Sequence, residues 1–246
     1  FYAPLIFFKP KGVVIITNTD GIERKRKKWN FLTKCLLSIS EYLAVKMSDT
    51  LISDNEYITI YLRDKYGRRS ELISCGYEHA LPAVEQNSSN YKYANYFLKI
   101  ARIEPENNIE LILNAFVETN QPLVLVGNWD YSKYSKKLKS RFCDYENIHL
   151  IGPIYQRDEI AQLRKNCMVY VHGHSVGGTN PSLIEMLGFS KPILAFDCAY
   201  NRMTLNNFGC FFSSSSELKS LVEKGPDVLK TMLHPLEHYI KIAKHK

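Results

Sequence analysis

Met168-Val-Tyr-Val-His-Gly-His-Ser-Val-Gly-Gly-Thr-Asn-Pro-Ser-Leu-Ile-Glu185 opens apolar without alternation, as a strand covered on both faces requires. A Gly-rich turn follows, and Asn180 then stands as a helix N-cap with Pro181 at the first helical position. Strand, turn and capped helix in this order make one βα unit of a parallel sheet. Outward from it, short apolar runs recur at 13–17, 50–53, 71–74, 95–101, 122–126, 148–151, 192–196 and 208–212, with helical stretches between most of them. Such alternation predicts an α/β protein with parallel sheets.

The first run, Gly12-Val-Val-Ile-Ile-Thr17, reads as a strand buried on both faces, and nothing before it supplies neighbouring strands, so the chain is expected to begin in mid-protein. Leu32, Leu36, Ile39, Leu43 and Met47 recur near the helical period of 3.6. Residues 77–93 are polar, contain Pro82 and carry no period, which predicts an interdomain linker. The expected organisation is a partial first domain over 1–76, the linker, a second domain over 94–225 and a basic C-terminal helix over 226–246.

The 246 residues are 45% apolar and 23% charged, which excludes a disordered tail, a collagen-like rod and a disulfide miniprotein. Six cysteines form no CxxC pair and read as reduced thiols, half of them core, in a cytoplasmic protein. No apolar run reaches the length of a membrane span. The net charge of +7 favours an acidic partner without choosing one.

In a parallel sheet, ligands bind beyond the carboxyl ends of the strands, where helix N-termini present free N–H groups. Gly177 and Gly178 would let the backbone approach a diphosphate, and Thr179 and Asn180 add side-chain donors. Glu185, one turn into the helix, suits the paired hydroxyls of a ribose; the alternative is an ordinary strand-to-helix turn with an exposed Glu. His172 and His174 alternate across extended backbone, which argues against a joint metal site and leaves one of them, with His174 the candidate, near a sugar or phosphate. Arg102 closes the strand before Ile103-Glu-Pro-Glu-Asn-Asn108 and can bind phosphate or pair with Glu104 or Glu106. Asp197, Asn201 and Arg202, just past another strand, line a ligand or make local turns. Arg24 to Lys28 are five consecutive basic residues that meet anionic lipid or form a solvated loop; their aromatic neighbours lack the spacing of a base-stacking platform, so nucleic acid is not expected.

TNTDGIERKRKKW (17–29), ISDN (52–55), IARIEPENN (100–108), VHGHSVGGTNPSLIE (171–185) and FDCAYNR (196–202) together resemble the GT-B glycosyltransferases of retaining family 4. Within it they are most similar to a bacterial rhamnosyltransferase-like subgroup of surface-polysaccharide (capsule) assembly. The resemblance implies a Rossmann-like donor domain plus a partial N-terminal, acceptor-side Rossmann-like domain, with the final helix returning toward the latter. It implies that Arg102 and Gly178-Thr179-Asn180 hold the donor diphosphate and Glu185 the ribose, without a divalent metal or other cofactor. The implied donor is a nucleotide-diphospho-sugar, with dTDP-rhamnose as candidate, and the implied acceptor is lipid-linked or an oligosaccharide. The implied location is cytoplasmic, peripheral at the inner face of the plasma membrane.

The sequence departs from the family pattern at three places. Gly177 stands where the family has a Glu, Asn107 or Asn108 where it has a Lys, and Met203 where it has a Glu. A complete two-domain member would carry roughly a hundred further residues before Phe1. A catalytically incomplete nucleotide-binding or assembly module therefore stays open as the alternative. A hydride-transfer enzyme is disfavoured because no GxGxxG follows any strand.

Overall fold

The computed structural model describes Lys9 and residues 11–26, 29–82, 93–225 and 228–229. In chain order these form β1 (Ile16–Asn18), α1 (Phe31–Met47), β2 (Thr50–Ser53), α2 (Glu56–Tyr66), β3 (Glu71–Leu72), β4 (Phe97–Ile100), α3 (Ile109–Val117), β5 (Leu123–Val126) and α4 (Lys133–Phe142). They continue through β6 (Ile148–Ile151), α5 (Arg157–Asn166), β7 (Val169–His172), α6 (Pro181–Leu187), β8 (Ile193–Phe196), α7 (Ala199–Thr204), β9 (Cys210–Phe212) and α8 (Ser215–Glu223). Every expected strand forms; 50–53 and 148–151 keep their expected bounds, and most of the others start a residue or more later.

Two compact units result. The first comprises the chain to Cys75 with Val176–Asn180 and Ala199–Asn206; the second comprises Gly76–Ser175, Pro181–Cys198 and the chain from Asn207. Of the stretch read as a linker, 78–80 form a 3-10 turn and 83–92 lie outside the described residues. The C-terminal helix expected over 226–246 also lies outside them, apart from 228–229.

The first unit carries a parallel sheet in the order β1-β2-β3. Asn30 caps α1 by accepting from the Thr33 N–H, Asn55 caps α2 by accepting from Tyr57, and Gly67 ends α2 at φ 65°. Glu41 of α1 ties the two helices: Tyr61 and Tyr66 donate to it, and Lys65 donates at 2.9 Å. Burial pushes its pKa up, but these hydrogen bonds outweigh burial and hold it below the usual carboxylate value.

The first strand was expected to be buried on both faces, and here the structure differs. Among the described residues β1 pairs only with β2, and Ile16 within it and Val14 just before it are 60% and 67% exposed. The apolar stripe of α1 also faces outward at Leu32, Leu36 and Ile39, while Val45 on the same helix is buried. All six cysteines are free thiols, but only Cys167 is fully buried, with Cys198 and Cys210 half-buried. No described helix is long and apolar enough to cross a membrane.

The second unit holds six parallel strands in the order β6-β5-β4-β7-β8-β9. Phe97, Leu123, Leu125, Val169, Val171 and Leu194 belong to one buried cluster with Ile112, Leu113 and Phe116 of α3 and Leu218 and Val222 of α8. Phe97 and Phe116 meet edge to face at 5.3 Å between ring centroids. Strand order turns back between β4 and β7, and in an open parallel sheet a crevice opens at the carboxyl edge at such a point.

Phe116→Ala should destabilise the protein by about 3–5 kcal/mol through the cavity it leaves. Leu36→Ala, on the exposed stripe, should stay within about 0.5 kcal/mol of wild type, both measured by urea unfolding.

Candidate active site at the strand-order reversal

The loops that leave β4 and β7 are stitched together. Asn107 Nδ2 donates to the Arg102 carbonyl at 2.8 Å, which leaves Asn107 Oδ1 to accept from His174 Nδ1 at 3.0 Å. That bond fixes the His174 tautomer with its proton on Nδ1. Asn108, in the left-handed region at φ 51°, donates from Nδ2 to the Gly173 carbonyl at 2.8 Å. Ser175 closes the seam through its N–H and hydroxyl, both donating to the Glu106 carbonyl at 3.0 and 2.8 Å. Gly173 is obligatory at this approach, because a Cβ there would lie 2.2 Å from the Asn107 carbonyl oxygen.

Arg102 projects from this loop with an exposed side chain, its guanidinium 3.7 Å from Glu104. His174 is buried, and its ring lies 6.2 Å from that of His172. His172 is fully buried with neither ring nitrogen hydrogen-bonded; burial, then the nearby Lys99 and His174, drive its pKa well below the ordinary value. Lys99 of β4 is likewise fully buried with an unpartnered ammonium, and burial pushes its pKa down to about 7.

Glu185 on α6 does not stand free. Arg164, from the last turn of α5, donates Nη2 to Glu185 Oε2, and His79 Nε2 lies 3.1 Å from Oε1. The Arg164 side chain is 6% exposed and that of Glu185 19%, so the pair is largely withdrawn from water. Neither partner stood out in the sequence, since Arg164 reads there as a basic residue complementing the carboxyl end of a helix. α6 begins at Pro181, as the Asn180-Pro181 pair predicts.

In the first unit, the glycine turn packs against the ends of β1 and β2. Gly177 adopts φ 131°, and its carbonyl accepts from the Ile22 N–H at 3.2 Å. A Cβ on Gly21 would fall 2.4 Å from the Gly177 carbonyl carbon, and one on Gly178 would fall 2.9 Å from the Asp20 carbonyl oxygen. The small residues therefore serve close backbone packing here. Thr179 donates its hydroxyl to the Asp54 carbonyl at 3.0 Å and accepts from Asn55 Nδ2 at 3.0 Å. Asn55 Nδ2 also reaches Thr204 Oγ1 of α7 at 3.1 Å. Asn201 is buried on the same helix and Arg202 half-buried, and Tyr200 meets Tyr57 edge to face at 4.8 Å.

The basic run is largely occupied within the first unit. Arg24 donates to the Tyr61 hydroxyl at 3.1 Å, Lys25 to the Tyr57 hydroxyl at 3.2 Å, and Arg26 lies 2.7 Å from Glu23. Lys27 and Lys28 lie outside the described residues. Among the described residues, no group of three or more His, Cys, Asp or Glu side chains could hold a metal ion.

Residues 83–245 match the family model described as glycosyl transferases group 1. The chain belongs to the group 1 glycosyl transferases. Residues 8–78 match a domain of unknown function, DUF1972. No curated protein sequence matches this group 1 chain. Among solved structures it is similar to sucrose-phosphate synthase from Thermosynechococcus elongatus, with a TM-score of 0.72, 16% identity and coverage of 88% of this chain and 60% of that one. Anabaena HepE in complex with UDP-glucose gives a TM-score of 0.66 and 16% identity over 89% of this chain and 66% of that one. The pneumococcal O-GlcNAc transferase GtfA in complex with UDP and GlcNAc gives 0.66 and 12% identity over 98% and 54%. At these identities the likeness is one of fold, and this group 1 chain spans only about 60% of the synthase.

Arg164→Met should cost about 3–5 kcal/mol by leaving the Glu185 carboxylate without its partner, and adding Glu185→Leu should recover part of that loss. For Lys99 the folded-state pKa is depressed, so its contribution to stability is present above its ordinary value near 10.5 and is lost as pH falls through about 7. Lys99→Met should therefore be more stable than wild type at pH 7, with the gap in urea midpoints narrowing by pH 9.

Proposed function

We propose that this chain belongs to an enzyme that moves a sugar from a nucleoside-diphosphate donor to a saccharide or lipid-linked acceptor of a bacterial surface polysaccharide. The observation that carries this reading is the group 1 family match laid over a sheet whose strand order reverses at the β4 and β7 loops. HepE and GtfA, which share the fold, were solved with UDP or UDP-glucose, and this supports a nucleotide-sugar as donor. The motifs favour L-rhamnose from dTDP-rhamnose within that class.

In this reading Arg102 offsets charge on the departing diphosphate by charge-assisted hydrogen bonds. Gly177, Gly178, Thr179 and Asn180 are assigned to the donor diphosphate through their backbone N–H groups, the Thr179 hydroxyl proton being given to the Asp54 carbonyl, and Asn201 and Arg202 belong to the donor-binding set. Glu185, oriented by Arg164, accepts from the ribose hydroxyls. His174, its ring oriented by the Nδ1 bond to Asn107, belongs to the donor-binding set beside them. These groups take the role of a divalent metal, so transfer proceeds without one. The protein works at the inner face of the plasma membrane, and binding to anionic vesicles at low salt checks this point.

Asn107 supports a second reading. Where the resembled family carries a Lys this chain has Asn107 or Asn108, and both amides are spent within the loops, on His174 and on the Gly173 carbonyl, which favours a module that binds nucleotide without turning it over.

Titration calorimetry with UDP, dTDP, GDP, ADP and NAD, in the presence of a chelator, separates these. One nucleoside diphosphate should bind, Arg102→Ala and Glu185→Ala should each weaken it by about tenfold or more, and NAD should not bind. No binding of any diphosphate, or binding by both variants as tight as that of wild type, overturns the site. Binding with no sugar transfer from the matching donor selects the second reading.

A further inference from the structure

Asp54, the residue after β2, carries a carboxyl that none of the roles above uses. It is 8% exposed, and Oδ1 has no hydrogen-bond partner. The ties that anchor the first unit at this point run through its backbone carbonyl, which accepts from Thr179 Oγ1 at 3.0 Å and Ser74 Oγ at 3.2 Å. The side chain is free of those duties, yet it is ionisable where an apolar group would fit the burial.

Its position explains why. Both carboxyl oxygens press against the glycine turn: a Cβ on Gly178 would lie 3.1 Å from Oδ1 and 3.3 Å from Oδ2. The Thr179 N–H faces the carboxyl and favours its charged form, as does the N–H of Asp54 itself. Burial, followed by the like charge of Asp20 beyond the end of β1, outweighs both and raises the pKa to about 6. No cation is among the groups acting on it. An acidic group thus faces backbone N–H of the same turn that the proposed function gives to a diphosphate.

We propose that the Asp54 carboxylate is an internal anion that occupies the Gly177–Thr179 turn until the donor diphosphate displaces it. The inference rests on the reading of that turn as part of the donor site. Carboxylate and phosphate compete for the Thr179 N–H and repel each other at close range, so Asp54 lowers donor affinity and hastens release of the nucleoside diphosphate product.

The test is calorimetry on wild type, Asp54→Asn and Asp54→Ser with UDP, dTDP, GDP and ADP, with the matching nucleosides, and with inorganic pyrophosphate. Asp54→Asn should bind the preferred diphosphate and pyrophosphate about tenfold more tightly, with nucleoside affinity unchanged. Asp54→Ser should show the same gain, which separates loss of charge from any effect of the amide. Unchanged or weaker diphosphate binding in both variants overturns the inference and leaves the donor site standing. An equal gain for nucleoside and diphosphate also overturns it, because competition between anions cannot act on an uncharged ligand. Failure of wild type and variants alike to bind any diphosphate removes the donor site, and this inference falls with it.

Discussion

Strand order reverses between the neighbouring strands β4 and β7, and in an open parallel sheet the loops at the carboxyl ends of such a pair border a crevice. Backbone groups in such loops must still find partners, because an unpaired buried N–H or C=O costs as much as a lost hydrogen bond. Asn107, Asn108 and Ser175 meet that demand, pairing with the carbonyls of Arg102, Gly173 and Glu106. The loops are thereby set before any ligand arrives. Asn107 couples this seam to function, since the bond that completes it also fixes the His174 tautomer.

Charge in the second unit is handled in two ways. Arg164 and Glu185 are withdrawn from water as a pair, which makes each expensive to remove alone and fixes the Glu185 rotamer. Lys99 and His172 are buried without partners, and they respond by moving their pKa values toward the neutral form. Asp54 in the first unit follows the same logic with the opposite sign. A group poised between its charged and neutral forms costs less to bury than a fixed ion and can still answer a charged ligand.

Much of this architecture was legible in the sequence because parallel strands buried on both faces leave unbroken apolar runs, as in Leu123–Val126 and Val169–Val171. The start of α6 was legible because Asn and Pro act locally at a helix start. β1 was misread for the same reason that the inner strands were read well: an exposed strand and a buried one carry the same apolar run, and only the neighbours distinguish them. Partnerships between distant residues left no pattern. Arg164 and Glu185 are joined across 21 positions, and His174 and Asn107 across 67. The basic run read as a solvent-facing charge cluster, whereas Tyr61, Tyr57 and Glu23 engage its first three residues. The glycines of the turn were legible as a close approach, but what approaches Gly178 is the chain itself at Asp20 and Asp54.

The central claim is that the crevice at the strand-order reversal receives a nucleoside diphosphate. Nuclear magnetic resonance with ¹⁵N-labelled protein, titrated with the diphosphate that binds best, tests it at the level of single residues. The account predicts shifts concentrated in the amides of residues 101–108 and 173–180 and in the His174 imidazole, with its Nδ1 proton retained. Shifts that bypass both loops, or a His174 ring that does not respond at saturation, would contradict it.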